Sequence, residues 1–144
     1  MFLAGGASGV HAQFGKAGIA RGTLWLWRKH LADRSRRSRR LGATYLHVVA
    51  PGKLTIYHDA VDGLAFDPGR APALRLRRWL AGSVGARALV DLVEPMRAAR
   101  RQAPRYLRTD SHWSFEGGDL AYRTRSEAHT AGLQSHWSIP DVVC

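Results

Sequence analysis

Cysteine is all but missing from this chain: its one thiol, Cys144, is the last of 144 residues. No internal disulfide and no cysteine metal cluster can form, so composition does not report the redox compartment. Long apolar runs are missing too. None approaches the ~18–20 residues that a membrane span requires, and the opening Met1-Phe2-Leu3-Ala4-Gly5-Gly6 has neither the basic region nor the apolar core of a signal peptide. Read alone, these absences place the chain in the cytosol. Acids are scarce as well, 11 Asp and Glu against 22 Lys and Arg, for a formal charge of +11. That balance favours polyanionic partners. A GC-rich coding sequence that supplies solvated arginines explains it equally, since 19 of the 22 cations are arginine and seven of them lie between Arg21 and Arg40.

What is present reads as one domain. The length suits a single core burying roughly 70% of the unfolded surface, yet is short for a complete α/β hydrolase. Gly18 to Leu41 reads as a helix, with Leu24, Trp25, Trp27 and Leu31 apolar and arginines filling an end where cations complement the helix dipole. Gly42 is its natural stop, and Thr44 to Val49 follows as a short buried strand. Ala50-Pro51-Gly52-Lys53 breaks that strand, and Leu54 to Ala60 suits a turn or short helix. After a loop at Asp67-Pro68-Gly69, the apolar Leu74, Leu76, Trp79 and Leu80 alternate with Arg75, Arg77 and Arg78 as on an amphipathic helix. The pattern then repeats: a strand at Ala86 to Val90, a helix at Leu92 to Arg101, a short third strand at Tyr106-Leu107 and a helix from Phe115 to about Ala128. Helices alternating with short buried strands predict a parallel sheet covered on its faces. Ligands bind such sheets at strand carboxyl ends, where Lys53, Asp91 and Asp110 fall.

Chemistry concentrates in Thr109-Asp110-Ser111-His112-Trp113. In an extended segment residues i and i+2 face the same side, so the Asp110 carboxylate could hold the His112 ring, fix its tautomer and stabilise the imidazolium formed when it takes a proton. The competing reading is that Asp110 caps a turn while His112 packs beside Trp113. The sequence Ser-His-Trp-Ser recurs at Ser135 to Ser138, but without an acid at the matching position, Gln134. That makes the second copy a coincidence.

Together these segments resemble the alginate O-acetyltransferase family of the AlgX/AlgJ type, whose catalytic domain is SGNH-hydrolase-like. Phe2-Leu3-Ala4-Gly5 is similar to the end of the family's opening Gly-Trp-Leu-Phe-Leu segment. Tyr45 through Lys53 is similar to its strand ending in Pro-Asn-Lys, with Gly52 in place of the asparagine, and Tyr57 fits the tyrosine that follows. Val90-Asp91-Leu92 resembles a later strand ending in aspartate. The specific match is Thr109-Asp110-Ser111-His112-Trp113 with Gly117-Gly118 and Ala121-Tyr122 behind it.

The resemblance implies an α/β fold: an SGNH-hydrolase-like, flavodoxin-like parallel sheet flanked by helices, present over residues 1–144 as a truncated N-terminal portion. It implies Asp110 and His112 as catalytic acid and base for O-acetylation of an exported, alginate-like anionic polysaccharide. It also implies an acetyl donor, a membrane-bound acetyl-transfer partner and a periplasmic location. No cofactor is implied. The family's nucleophile is a serine in a Gly-Asp-Ser context well beyond the His-Trp pair, and Ser114, Ser126, Ser135 and Ser138 have no such context. The expectation is therefore a pair whose nucleophile is missing from this chain, with a non-catalytic carbohydrate-binding or assembly remnant of the same fold as the alternative.

Other candidates keep two readings each. Lys53 meets an anionic uronate or is structural; Asp91 orients site groups or caps the following helix; Trp113 packs against the sheet or stacks on a sugar. Gly117 and Gly118 allow a close backbone approach or make a plain helix entry. A metal needs three or more convergent ligands, which His112, His136, Asp110 and His129 supply only if the tail folds back, so no metal is expected. Arg34 to Arg40 with Trp25 and Trp27 could contact phosphates, but a solvated helix end explains them without any recognition motif. No nucleic acid is expected.

Overall fold

The computed structural model describes residues 9–15, 18–61, 63 and 65–136. The Phe2 to Gly5 segment, Trp137 and Ser138 of the second Ser-His-Trp-Ser copy, the Ile139 to Val143 run and Cys144 lie outside the described residues. Helix α1, Arg21–Arg40, lays Leu24, Leu31 and Ser35 inward and its arginines outward. It ends as the sequence predicts: Gly42 takes a left-handed φ of 68°, Ala43 N–H reaches the carbonyl of Ser38 and Gly42 N–H that of Arg39. These bonds satisfy carbonyls that the helix leaves orphaned, and glycine adopts the required backbone without a Cβ penalty.

The chain then enters β1, His47–Val48, and turns through α2, Lys53–Ile56, into a 3-10 turn at His58–Ala60. Helix α3, Pro72–Leu80, begins with proline, whose missing N–H falls where a helix leaves its donors unpaired anyway. It buries Leu74, Leu76 and Leu80. Helix α4, Val84–Ala88, leads directly into β2, Leu89–Val90, which pairs with β1 in parallel, His47 opposite Leu89 and Val48 opposite Val90. Helix α5, Val93–Ala99, and the long α6, Phe115–His136, complete the order.

The α/β class holds, with a parallel pair and helices around it, and among the described residues the sheet has two strands. Two strand predictions are corrected. Ala86 to Val90 is extended only at its last two residues, because Ala86, Arg87 and Ala88 are good helix formers and Gly85 lets α4 press close to Leu31, where a Cβ would stand 3.1 Å from that side chain. Tyr106-Leu107 is no third parallel strand. Tyr106 instead forms an isolated antiparallel bridge with Trp113, so the chain doubles back there.

Two apolar clusters organise the packing. Leu24 and Leu31 of α1 meet Leu76 and Leu80 of α3 in one. The larger gathers Leu54, Ile56, Val90, Leu92, Val93, Met96, Tyr106 and Ala121, so α2, β2, α5 and α6 share it. Trp25 and Trp27, read as part of the apolar stripe of α1, are 55% and 40% exposed, and Trp27 leans on the His47 ring at 5.2 Å between centroids.

Candidate active site

The Asp110–His112 segment sits at the tip of a short hairpin whose base is buried. Leu107 N–H donates to the His112 carbonyl at 3.0 Å and Ser114 N–H to that of Arg105 at 3.1 Å, closing the loop around the Tyr106–Trp113 bridge. Tyr106 is 4% exposed, donates its hydroxyl to the Pro51 carbonyl, and has its phenol pushed up to about 12 by burial. Trp113, half-buried, packs against the larger apolar cluster. The aromatic pair thus anchors the stalk and leaves the tip to solvent.

At the tip, Asp110 Oδ2 lies 2.7 Å from His112 Nδ1, and Ser111 N–H donates to Asp110 Oδ1 at 2.5 Å. The His112 hydrogen bond, then the Ser111 N–H, hold the Asp110 carboxyl below its ordinary value. The backbone that brings the two together is a bend and not the extended segment expected; the Ser111 amide turns the carboxylate back toward the ring. With Nδ1 engaged by a carboxylate, the neutral ring carries its proton there and offers the Nε2 lone pair as base. The His112 side chain is 80% exposed, so Nε2 is open to whatever docks on the tip.

Lys53 is placed beneath the loop. Its Nζ donates to the carbonyls of Leu107 at 2.6 Å, Arg108 at 3.1 Å and Asp110 at 3.0 Å, so the structural reading of this lysine stands. Asp91 likewise serves structure: Val93 N–H donates to its Oδ1 at 3.0 Å at the start of α5, while Oδ2 pairs with Arg77. Gly117 makes the close approach allowed for it, since a Cβ there would lie 2.1 Å from the Arg105 carbonyl oxygen, whereas a Cβ at Gly118 would meet nothing within 4 Å. Ser114 is a helix cap, accepting from Gly117 N–H at 3.1 Å and donating to the Pro104 carbonyl at 2.6 Å.

Arg105 is the site residue that sequence reasoning passes over. It is 8% exposed, and its guanidinium donates to the carbonyls of Glu116 at 3.0 Å and Ala99 at 2.8 Å, joining the end of α5 to the start of α6 behind the hairpin. Tyr57 completes this wall by accepting Arg105 N–H at 2.9 Å. An arginine-rich composition hides one buried arginine among many solvated ones; its place between Pro104 and the buried Tyr106 is the signal that could have found it.

Among the described residues no serine hydroxyl bonds His112. Ser111 Oγ turns to Asp110 at 3.4 Å, Ser126 Oγ to the Tyr122 carbonyl at 3.0 Å, and Ser114 is committed to its cap. No group of three His, Cys, Asp or Glu that could hold a metal occurs among them either, and the His136 side chain lies outside the described residues. No helix among them is long and apolar enough to cross a membrane. Neither the curated proteins nor the solved structures yield a match. A family model does match, over residues 22–136, described as SGNH hydrolase-like domain, acetyltransferase AlgX. The match spans most of the chain and takes in the hairpin and its supports, and the chain therefore belongs to the SGNH hydrolase-like AlgX acetyltransferase family.

Proposed function

We propose that this domain serves O-acetylation of an exported, alginate-like polysaccharide in the periplasm, with His112 as general base and Asp110 as the acid that orients it. Family membership supports an O-acetyltransferase-type role, and the observation that carries the residue assignment is the 2.7 Å bond from Asp110 Oδ2 to His112 Nδ1. His112 Nε2 takes the proton of a serine hydroxyl as that oxygen attacks the acetyl carbonyl of the donor. The imidazolium, held against Asp110, then returns the proton to the departing donor oxygen. In the second half Nε2 takes the proton of a sugar hydroxyl that attacks the acetyl-serine and gives it back to the serine oxygen. The donor comes from a membrane-bound acetyl-transfer partner, and the serine is not one of the described hydroxyls. An anionic acceptor is supported by the formal charge of +11. Nucleic acid is not a partner in this reading.

The absence of a hydroxyl bonded to His112 among the described residues favours a second reading, a carbohydrate-binding or assembly domain of the same fold that transfers nothing. One experiment separates the two. The protein is given an activated acetyl ester with a uronate oligosaccharide or a neutral glucan, and acetylated sugar is measured by mass. The enzymatic reading expects acetyl on the uronate, less on the glucan, and none with His112→Ala. Uronate binding without transfer supports the second reading.

A further inference from the structure

The hairpin that carries Asp110 and His112 is gripped from one side by a single stretch of chain, residues 51–57. Three contacts cross from it, each over some fifty residues of sequence. The Pro51 carbonyl accepts the Tyr106 hydroxyl, the Tyr57 hydroxyl accepts Arg105 N–H at 2.9 Å, and Lys53 Nζ donates to three loop carbonyls at 2.6, 3.1 and 3.0 Å. The first two hold the stalk, which the apolar cluster also holds. Lys53 alone of the three reaches the tip, and one of its acceptors is the backbone carbonyl of Asp110 itself.

We infer that Lys53 is a positioning residue for this acid–base pair: its ammonium sets the bend that lets the Asp110 carboxylate meet His112 Nδ1. The inference rests on the reading of Asp110 and His112 as acid and base, but its physical core is independent of catalysis. Three carbonyl oxygens converge on one point in a loop, and their dipoles repel one another unless a cation sits between them. An ammonium offers three rotatable donors on a flexible stem and fits such a nest; a guanidinium is planar and does not. Without the cation the carbonyls turn outward to water, residues 107–110 change their bend, and the carboxylate that leaves from Asp110 moves off the ring. Ser111 and His112 are exposed, and of the backbone bonds that close the hairpin one reaches the His112 carbonyl, from Leu107 N–H, while the other, from Ser114 N–H to the Arg105 carbonyl, lies at its base. Lys53 thus acts through the loop and does not touch the reacting atoms.

The test reads the tautomer of His112 directly, by nitrogen-15 NMR of the imidazole above its protonation range, in the whole chain. A carboxylate on Nδ1 holds the proton there, whereas a free imidazole prefers it on Nε2. The wild type is expected to show His112 as the Nδ1–H form, and Asp110→Asn, which leaves the Lys53 bonds in place, supplies the spectrum of the unpaired ring. Lys53→Met is expected to give that unpaired spectrum with the far-ultraviolet circular dichroism unchanged, and Lys53→Arg to fall between. Lys53→Cys in a Cys144→Ser background, aminoethylated to rebuild an ammonium at the same reach, is expected to restore the Nδ1–H form. If Lys53→Met does not fold, Lys53→Gln is read in the same way. An unchanged tautomer in Lys53→Met or Lys53→Gln, or no recovery on aminoethylation, overturns the inference. Loss of acetyl transfer with His112→Ala is a separate result, so failure of the functional reading is distinguishable from failure of this one.

Discussion

Two basic, aromatic-flanked stretches stand out in this sequence, and the fold treats them oppositely. The end of α1 carries Arg34, Arg36, Arg37, Arg39 and Arg40, largely turned to solvent; Arg36 approaches Asp33 at 3.8 Å with both side chains more than half exposed, and Arg34 reaches the Tyr45 hydroxyl at 3.4 Å. The Tyr106–Trp113 hairpin has fewer charges but is met by residues 51–57, by the end of α5 through Arg105, and by the start of α6 through Gly117. A cluster of like residues close in sequence shows only that the surface tolerates them. Convergence of distant segments on one short loop costs conformational entropy for each segment ordered, and it marks where geometry matters.

The sharpest way to break that contrast is at the tightest convergence. Gly117→Ala places a carbon 2.1 Å from the Arg105 carbonyl oxygen, and both partners are backbone that cannot step aside. A loss of about 3 kcal/mol of unfolding free energy is expected from an overpacked backbone contact, read by urea denaturation; Gly118→Ala, which meets nothing within 4 Å, should be neutral or mildly stabilising. Equal effects at the two glycines would deny that the α6 entry is pinned to the hairpin.

A second probe uses pH. Tyr106 has its folded-state pKa raised to about 12 from the ordinary tyrosine value of 10.0. Its neutral form is favoured by folding, so that contribution is whole below about pH 10, declines as the unfolded phenol ionises, and is gone once pH passes about 12. Thermal melts should therefore show an alkaline fall in stability over that window that Tyr106→Phe reduces. At the acid end the sign reverses. The Asp110 carboxyl is held below its ordinary value chiefly by His112, so its contribution is present above the usual carboxylate range and is lost as pH falls through the lowered value. Because that side chain is partly exposed and its partners, His112 Nδ1 and Ser111 N–H, lie within the loop, the effect should appear in the loop and not in the melt.

The smallest effect is expected at the other region. Changing Arg36, Arg37, Arg39 and Arg40 together to alanine should leave acetyl transfer unaltered and move stability by no more than about 0.5 kcal/mol per site, as surface changes do. Salt-sensitive binding of DNA or RNA that vanishes in this variant would instead make α1 a phosphate-binding surface.

Much of the fold is legible in the sequence because local rules govern it. The stop at Gly42, the amphipathic α3 and the helix after Asp91 follow from propensity, capping and spacing, whereas Asp110 and His112 meet through a bend and not through the extended spacing that suggested their pairing. Residues 86–88 mislead because alanine and arginine inside an apolar stretch are compatible with either helix or strand, and the packing of Gly85 against Leu31 decides for helix. The Tyr106-Leu107 pair misleads because the partner of Tyr106 is Trp113, on the far side of the loop, and not a parallel strand. Least legible are the long-range supports. That Lys53 serves carbonyls beyond residue 106, that Arg105 is buried, and that Arg97 and Arg100 donate to the Thr55 and Ile56 carbonyls at the end of α2 all depend on segments that meet only after folding.

Whether the assembled pair removes protons is the central question. Acetyl release from an activated ester, followed near neutral pH for the wild type and for His112→Ala, measures that most directly. A placed base acting on water or on a hydroxyl should raise the rate on the order of 10²-fold or more over the variant, with Asp110→Asn lying between the two. Equal rates in all three proteins would contradict a catalytic role for the pair and leave a folded domain of the family that binds without transferring.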